Sequence, residues 1–215
     1  MSLLQPSIRR RAPAGDVQSH PGRELTEREF LEWIWPKTRA EWVDGEVVLM
    51  APDNVDHADS AGWLYSLVRQ FVQARRLGHV YGTSVMVRLP RQRRRRMPDL
   101  LFVAKGGAAT IHPNHVEGGP DLIMEVVSPD SVIRDWHDKY REYERAGVRE
   151  YWVIDRMQRR VEAFALGRDG KYRAIEDEDG KIESTVLKGF YLRAEWLLAP
   201  QPPDLLKVLR ELGVA

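Results

Sequence analysis

Residues 120–129 read PDLIMEVVSP, and this stretch organises the interpretation of the whole chain. Its centre predicts a β-strand that is covered on both faces, because alternate apolar residues from 122 to 126 fall on one side while Ile123 and Val127 fall on the other. Glu125 lies in the middle of this strand. An ionised carboxylate buried there costs on the order of several kcal/mol unless it is compensated. Glu125 therefore needs a partner. This partner is a bound cation or, in the ordinary alternative, a set of backbone donors or an arginine.

The composition describes a chain of 215 residues with 33 basic and 32 acidic side chains. This length suits one sizeable hydrophobic core. We expect a flexible N-terminal tail over residues 1–22, where Ser, Pro, Gly and Arg dominate, followed by a single domain over residues 23–215. Because the charges nearly cancel, attraction to phosphate must come from local clusters of basic residues.

Cysteine is absent from the sequence. Its absence excludes disulfides, thiolate zinc sites and cysteine nucleophiles, and it agrees with a reducing compartment. The sequence also has no run of about 18 apolar residues and no apolar signal core near residue 1. We therefore expect a soluble, cytoplasmic protein without a membrane partner.

The first half of the chain predicts a mixture of helices and strands. Thr26 and Glu29 form a capping box, which predicts a short helix up to residue 35. Asp44 and Gly45 suit the positive φ values of a type I′ turn, so residues 41–50 predict a β-hairpin. Periodicity further predicts a long helix over 55–77, a strand over 80–89 that is broken by Gly82, and a strand over 98–103.

The second half predicts the remaining elements of an α+β fold. Residues 104–119 are typical of a long loop, and residues 131–146 predict a helix that Gly147 ends as a C-cap. Strands are predicted over 150–155, 161–165, 171–174 and 183–187, and residues 197–203 close the sheet region. Residues 205–212 suit either a short terminal helix or a frayed tail.

A run of basic residues stands between two of the predicted strands. Residues 91–96 read RQRRRR, a pattern that is usually a solvated loop. Four of its arginines, Arg93, Arg94, Arg95 and Arg96, would also suit contacts with DNA phosphates, which release counterions.

Asp99, Glu125 and Lys139 form the candidate catalytic set. Asp99 follows Pro98 at the start of a predicted strand, and Lys139 lies on the border of the apolar stripe of the next helix. Neighbouring strands can bring two carboxylates to one Mg²⁺, and hard oxygen ligands favour Mg²⁺ or Mn²⁺ over zinc. A lysine at this border can lean over the sheet towards Glu125, and a solvated pair of Lys139 with Asp135 is the ordinary alternative. His57 near a helix start is likewise more often a capping or solvated residue than a ligand.

The ordered set of motifs resembles the Uma2 (DUF820) family of the PD-(D/E)XK, restriction-endonuclease-like nucleases. The matching segments are EWVDGE at 41–46, AP at 51–52, PDL at 98–100, PDLIMEVVSP at 120–129 and GVREYW at 147–152. The resemblance covers about residues 25–200. It implies an α/β (α+β) fold in which a central mixed β-sheet is flanked by helices, and divalent-metal-dependent cleavage of DNA.

The resemblance also implies roles for individual residues. Asp99 and Glu125 become metal ligands, and Glu41 becomes a further acid at the site, although a hairpin residue facing solvent is the alternative for Glu41. The superfamily pattern places a lysine two residues after the acid, but position 127 is valine here. The family suggests that Lys139 substitutes from the helix. His57 and Asp135 match family positions without an assigned role.

Three functions are consistent with these observations. The first is a Mg²⁺- or Mn²⁺-dependent endonuclease that hydrolyses DNA phosphodiesters. The alternatives are a catalytically inactive DNA-binding or interaction module on a nuclease scaffold, and a metal-dependent hydrolase of another phosphate ester. A homodimer would suit cleavage of both strands of a duplex.

Overall fold

A computed structural model describes residues 22–34, 39–129 and 131–214 of the chain. Residues 1–21 of the predicted tail, and the predicted end of the first helix at residue 35, lie outside the described residues. The helices are α1 (Glu27–Ile34), α2 (Val55–Arg75), α3 (Tyr140–Ala146), α4 (Ala194–Leu198) and α5 (Leu205–Glu211). A 3₁₀ turn covers Pro90–Gln92, and a π-helical turn covers Arg134–Lys139.

The strands form two six-stranded sheets and one three-stranded sheet within the described residues. In chain order they are β1 (Ala40–Val43), β2 (Glu46–Leu49), β3 (Gly78–Gly82), β4 (Met86–Leu89), β5 (Arg94–Arg96), β6 (Leu100–Ala104), β7 (Thr110–Ile111), β8 (His115–Glu117), β9 (Leu122–Val126), β10 (Glu150–Asp155), β11 (Arg160–Leu166), β12 (Tyr172–Ala174), β13 (Asp177–Glu178), β14 (Lys181–Glu183) and β15 (Tyr191–Leu192).

The central sheet has the order β12-β11-β10-β9-β6-β3. Strand β9 runs parallel to β10 and antiparallel to β6. The parallel pair is possible because the π-helical turn and α3 form the crossover that two parallel strands require. The predicted central mixed sheet flanked by helices is therefore confirmed.

Strand β9 separates two hydrophobic clusters, as its sequence predicts. Leu122, Met124 and Val126 pack in a cluster with α2, α4 and α5. Ile123 and Val127 pack in a second cluster on the opposite face, together with residues of α3 and of strands β4 and β8. All five residues of β9 are buried. The Glu125 carboxylate is therefore enclosed between layers.

The second six-stranded sheet has the order β2-β1-β5-β4-β8-β7. Its first hairpin has positive φ at both Asp44 (51°) and Gly45 (103°), which agrees with the predicted type I′ turn. Two loop predictions are wrong at this sheet. The arginine run enters it as β5, and residues 104–119 supply the β7–β8 hairpin.

Other boundaries also differ from the sequence prediction. The predicted strand over 80–89 is two strands that belong to different sheets, because the chain turns after Gly82. The predicted strand over 183–187 is wrong beyond Glu183, and α4 covers the start of the 197–203 segment. The terminal helix is confirmed as α5. In the described part of the chain, no helix is both long and apolar enough to span a bilayer.

Candidate active site

Asp99 and Glu125 lie opposite each other on neighbouring strands. Leu100 pairs with Met124 in the β6–β9 ladder, so Asp99, one residue before Leu100, faces Glu125. The Asp99 N–H donates to Glu125 Oε2 over 3.4 Å, and the Val126 N–H donates to Asp99 Oδ2 over 2.8 Å. Both side chains are buried. The predicted pair of acids is thus brought together by strand register.

Lys139 lies at the centre of a buried acidic cluster. Its ammonium nitrogen is 2.9 Å from Glu125 Oε1, 3.0 Å from Asp135 Oδ1 and 3.7 Å from Glu41 Oε1. The Lys139 side chain is only 3% exposed. These contacts exclude the solvated Asp135–Lys139 pair that the sequence left open. The Lys139 ammonium therefore compensates part of the charge of the buried Glu125 carboxylate.

The π-helical turn Arg134–Lys139 places two of these groups. Asp135 and Lys139 are both buried, at the two ends of the turn. The Ser131 hydroxyl donates to Asp135 Oδ2, and the Tyr151 hydroxyl donates to the Asp135 carbonyl over 2.8 Å. The i→i+5 bonds of a π-helix widen the turn, and such turns are frequent at functional sites. These hydrogen bonds therefore hold Asp135 in position beside Lys139.

Glu41 is buried completely, which excludes the alternative of a hairpin residue that faces solvent. Its Oε2 accepts from Arg96 Nη1 over 2.7 Å, and its Oε1 accepts from the Met97 N–H over 3.0 Å. Burial would raise the pKa of Glu41, but the charges of Lys139 and Arg96 outweigh it and lower the pKa to about 2. Glu41 is consequently a permanent anion beside Lys139.

The arginine run is divided between surface and interior. Arg96 is 1% exposed and donates to both Glu41 and Glu142, and Arg95 is 5% exposed. Arg94 is partly buried and donates to Glu142 over 2.7 Å. The expectation of a solvated loop is wrong, because these three residues form β5 and their guanidinium groups are paired with acids; their contact with DNA phosphates stays a prediction. Arg93 is exposed and pairs with an acid of the hairpin turn.

His57 reaches the site from the first turn of α2. The Asn54 side chain caps this helix by accepting from the His57 N–H over 2.8 Å. The His57 ring nitrogen Nε2 is 3.2 Å from Asp99 Oδ2. Burial opposes the charged imidazole, but the hydrogen bond and charge of Asp99, with the charge of Asp53, raise the pKa of His57. His57 is thus a partner of Asp99 and not a solvated residue.

Two further residues at the site were not predicted. The Tyr143 hydroxyl donates to Glu125 Oε1 over 3.0 Å. Arg134 lines the same cavity, and within the described residues its buried Nε has no hydrogen-bond partner while Glu41 Oε2 lies 4.0 Å away. The sequence assigns Tyr143 no role at the site, although a buried tyrosine hydroxyl usually has a polar partner. No sequence signal distinguished Arg134 from other helical arginines.

The pKa of Glu125 indicates whether the surrounding residues compensate its negative charge or leave room for a metal ion. Burial is the largest influence and raises the pKa of Glu125, against the opposing charge of Lys139. Lys139 alone therefore does not compensate the carboxylate fully. Mg²⁺ is commonly held by one or two carboxylates plus waters and substrate phosphate oxygens. The oxygen donors of Asp99 and Glu125 fit that requirement.

Two neighbouring cavities open onto these residues. One has a volume of about 310 Å³, and Asp99, Glu125, Arg134 and Lys139 all contribute to its lining. The other has a volume of about 340 Å³ and lies beside α2. Asp99 and His57 line both cavities, as does Asp53. Asp99 is therefore shared by both cavities, whereas Glu125 lines only the first.

The mixed sheet and its enclosed acid–lysine cluster define an α+β protein with a nuclease-like fold. Residues 28–204 match the Uma2 family, which is described as "Putative restriction endonuclease", and the chain belongs to this family. A similar solved structure is described as a "putative nuclease belonging to DUF820 from Anabaena variabilis ATCC 29413". The two chains superpose with a TM-score of 0.66 and 15% identity, over 81% of this chain and 97% of that chain. This likeness shows the fold alone. Among curated proteins, no sequence matches the chain.

Proposed function

We propose that this protein is a divalent-metal-dependent endonuclease that hydrolyses DNA phosphodiester bonds. The observation that carries the proposal is the position of Asp99 and Glu125 across one β-ladder, with the Lys139 ammonium 2.9 Å from Glu125. The description of the Uma2 family as nucleases supports the same chemistry.

Asp99 and Glu125 would hold Mg²⁺ or Mn²⁺. When bound, such an ion supplies Lewis-acid stabilisation of charge on a phosphate and makes water a better nucleophile at neutral pH. The protein supports this role through the contacts that orient the two acids. The Val126 N–H and His57 hold Asp99, while Tyr143 and Lys139 hold Glu125.

Lys139 and Arg134 would act on the substrate phosphate by electrostatics. Lys139 borders the cavity and can neutralise negative charge that develops during hydrolysis. Arg134 lies on the same wall, and its guanidinium Nε is not satisfied by a described residue. A guanidinium matches a phosphate bidentately. We assign Arg134 to contact with the scissile phosphate.

The junction of two cavities suits a polymeric substrate better than a small phosphoester. Asp99 lines both cavities, so a DNA strand could continue on either side of the reacting phosphate. The mixed acidic and basic surroundings give no base-reading element, and we therefore expect contact mainly with the sugar-phosphate backbone.

Cleavage of supercoiled plasmid DNA with Mg²⁺, with Mn²⁺ and with EDTA tests the proposal. We expect cleavage with either cation, no cleavage in EDTA, and a loss of at least about 100-fold in Glu125→Gln and Asp99→Asn. Asp138→Asn is the matched control, because Asp138 is exposed on the same π-helical turn. Equal cleavage by all three variants would refute the assignment.

The inactive DNA-binding module is the alternative, and one observation favours it. Lys139, Arg96 and the backbone already satisfy much of the acidic cluster without an added cation. This alternative predicts DNA binding in EDTA that survives Glu125→Gln, with no cleavage under any metal condition. Turnover of a small phosphoester with resistant DNA would instead indicate a different phosphate-ester hydrolase.

A further inference from the structure

The β7–β8 hairpin carries a second group of metal-ligating side chains. His112, His115 and Glu117 each offer one ligand atom, and these three atoms lie within 4.8 Å of one another. In the described ranges, this is the one group of three or more such residues that meets this spacing. The active-site cavities have no lining residue in common with the hairpin.

Strand alternation explains why these three side chains meet. His115 and Glu117 are two residues apart on β8 and therefore project from the same face of the hairpin. Thr110 pairs with Glu117, so the same alternation, continued one residue past the end of β7, places His112 on that face. The His112 N–H donates to the His115 carbonyl over 2.8 Å and closes the turn. The two histidines are held by the turn itself.

The two histidine rings are stacked on each other, and the nitrogen of one ring that lies nearest Glu117, 3.8 Å from Oε2, has no hydrogen-bond partner among the described residues. Their centroids are 4.6 Å apart, with an interplanar angle of 12°. The His115 Nδ1 contacts Asn114 Oδ1 over 2.8 Å, which fixes the ring orientation. The His115 Nε2 is buried and has no hydrogen-bond partner in the described chain. A metal-ligating histidine commonly has its second nitrogen fixed in this way.

The charges around the cluster decide which ligand it can accept. Glu117 Oε2 accepts from Arg88 Nη1 over 2.7 Å, but a carboxylate has acceptor sites on both oxygens. Arg88 is itself held by both oxygens of Glu27, over 2.6 and 2.8 Å. Arg88 therefore lowers the affinity of the cluster for a cation but donates to only one of the two Glu117 oxygens.

We propose that His112, His115 and Glu117 bind a Zn²⁺ ion at the edge of the second sheet. Two imidazoles and one carboxylate form a ligand set that zinc accepts, with water in its fourth position. Imidazole ligands favour zinc over Mg²⁺, so this site differs in metal preference from the carboxylate pair of the active site. The ion would fasten the turn between β7 and β8.

Equilibrium binding of Zn²⁺ in excess Mg²⁺ tests the proposal on the full-length chain. Competition with a chromogenic zinc chelator gives the stoichiometry and Kd. We expect one Zn²⁺ per chain, and a loss of affinity of more than about tenfold in His112→Ala and His115→Ala, since even outer-shell changes cost this much. His79→Ala is the matched control, because His79 is an exposed strand histidine outside the cluster.

Glu125→Gln separates this site from the active site. We expect Glu125→Gln to leave the Zn²⁺ stoichiometry and Kd unchanged. Loss of Zn²⁺ binding in Glu125→Gln together with unchanged binding in His115→Ala would overturn the proposal, and so would the absence of Zn²⁺ binding to the wild-type chain. Diffraction at the zinc absorption edge gives a second readout: a peak at the hairpin supports the site, and a peak only at Glu125 contradicts it.

Discussion

Replacing Lys139 by methionine removes a charge that contacts three buried carboxylates while keeping an unbranched apolar stem. The ammonium lies 2.9 Å from Glu125, 3.0 Å from Asp135 and 3.7 Å from Glu41. Loss of one partner from a buried ion pair costs about 3–5 kcal/mol. For a chain of this length, each kcal/mol lowers the Tm by about 2–4 °C, so we expect a decrease of roughly 6–20 °C.

The effect of Mg²⁺ on this loss of stability ties the experiment to the Asp99–Glu125 site. A bound Mg²⁺ would supply positive charge where the ammonium was removed, so Mg²⁺ should stabilise Lys139→Met more than the wild type. An ion present at 100 times its Kd adds about 2.7 kcal/mol to the free energy of unfolding. Urea unfolding with Mg²⁺ and with EDTA measures both free energies, and plasmid cleavage by the same samples measures activity.

Lys171→Met is the matched control for this variant. Lys171 also lies 2.9 Å from a glutamate, Glu144, but its side chain is 67% exposed. Exposed pairs contribute only about 0–1 kcal/mol. The reasoning would be refuted if Lys139→Met lost no more stability than Lys171→Met, or if Mg²⁺ stabilised both variants equally.

Three further predictions concern neighbouring residues. If Arg134 contacts the scissile phosphate as proposed, Arg134→Gln should lower the rate of DNA cleavage by about 100-fold or more, while its Tm stays near that of the exposed control Arg141→Gln. Equal cleavage rates for the two variants would contradict this role. Because the pKa of Glu41 is lowered to about 2, the stability that its ionised form contributes is present above about pH 4.5 and is lost as the pH falls through 2. Glu41→Gln should therefore be less stable than the wild type at pH 7, and its stability should depend less on pH between 4.5 and 2. An unchanged acid unfolding curve would argue against the Arg96 and Lys139 contacts. Tyr143→Phe removes a hydrogen bond to Glu125 and should cost about 1.5–3 kcal/mol in urea unfolding, whereas a neutral effect would show that Lys139 alone holds the carboxylate.

The elements that position the acids could be predicted because their signals are local. The two-faced apolar pattern around Glu125 predicts a covered strand, and this strand is buried between two clusters in the structure. The Asp44-Gly45 pair predicts the hairpin turn, and the capping box predicts α1, where Glu29 Oε2 accepts from the Thr26 N–H over 2.8 Å. Each pattern depends on residues close in sequence.

The arginine run shows where local reasoning fails. Four arginines in succession are typical of a solvated loop, yet Arg95 and Arg96 are buried in a strand. Their partners, Glu27, Glu41 and Glu142, come from distant parts of the sequence. A buried guanidinium is acceptable only when such acids are present, and no local pattern announces them.

The position of Lys139 could be predicted more accurately than the residues that surround it. Its border position on the helical wheel indicated a side chain that leans toward Glu125, and the ammonium does contact Glu125. The π-helical turn, the contact with Glu41 and the unsatisfied Arg134 could not be predicted, because a one-residue widening of a helix depends on packing and not on helix propensity.

The central claim is that one divalent ion joins Asp99 to Glu125. Anomalous diffraction from a crystal soaked in Mn²⁺ measures this directly. We predict a single strong peak about 2 Å from a carboxylate oxygen of each residue, with Lys139 still in contact with Glu125. A crystal at saturating Mn²⁺ with no density between these two carboxylates, or with the ion held only by residues elsewhere, would contradict the account.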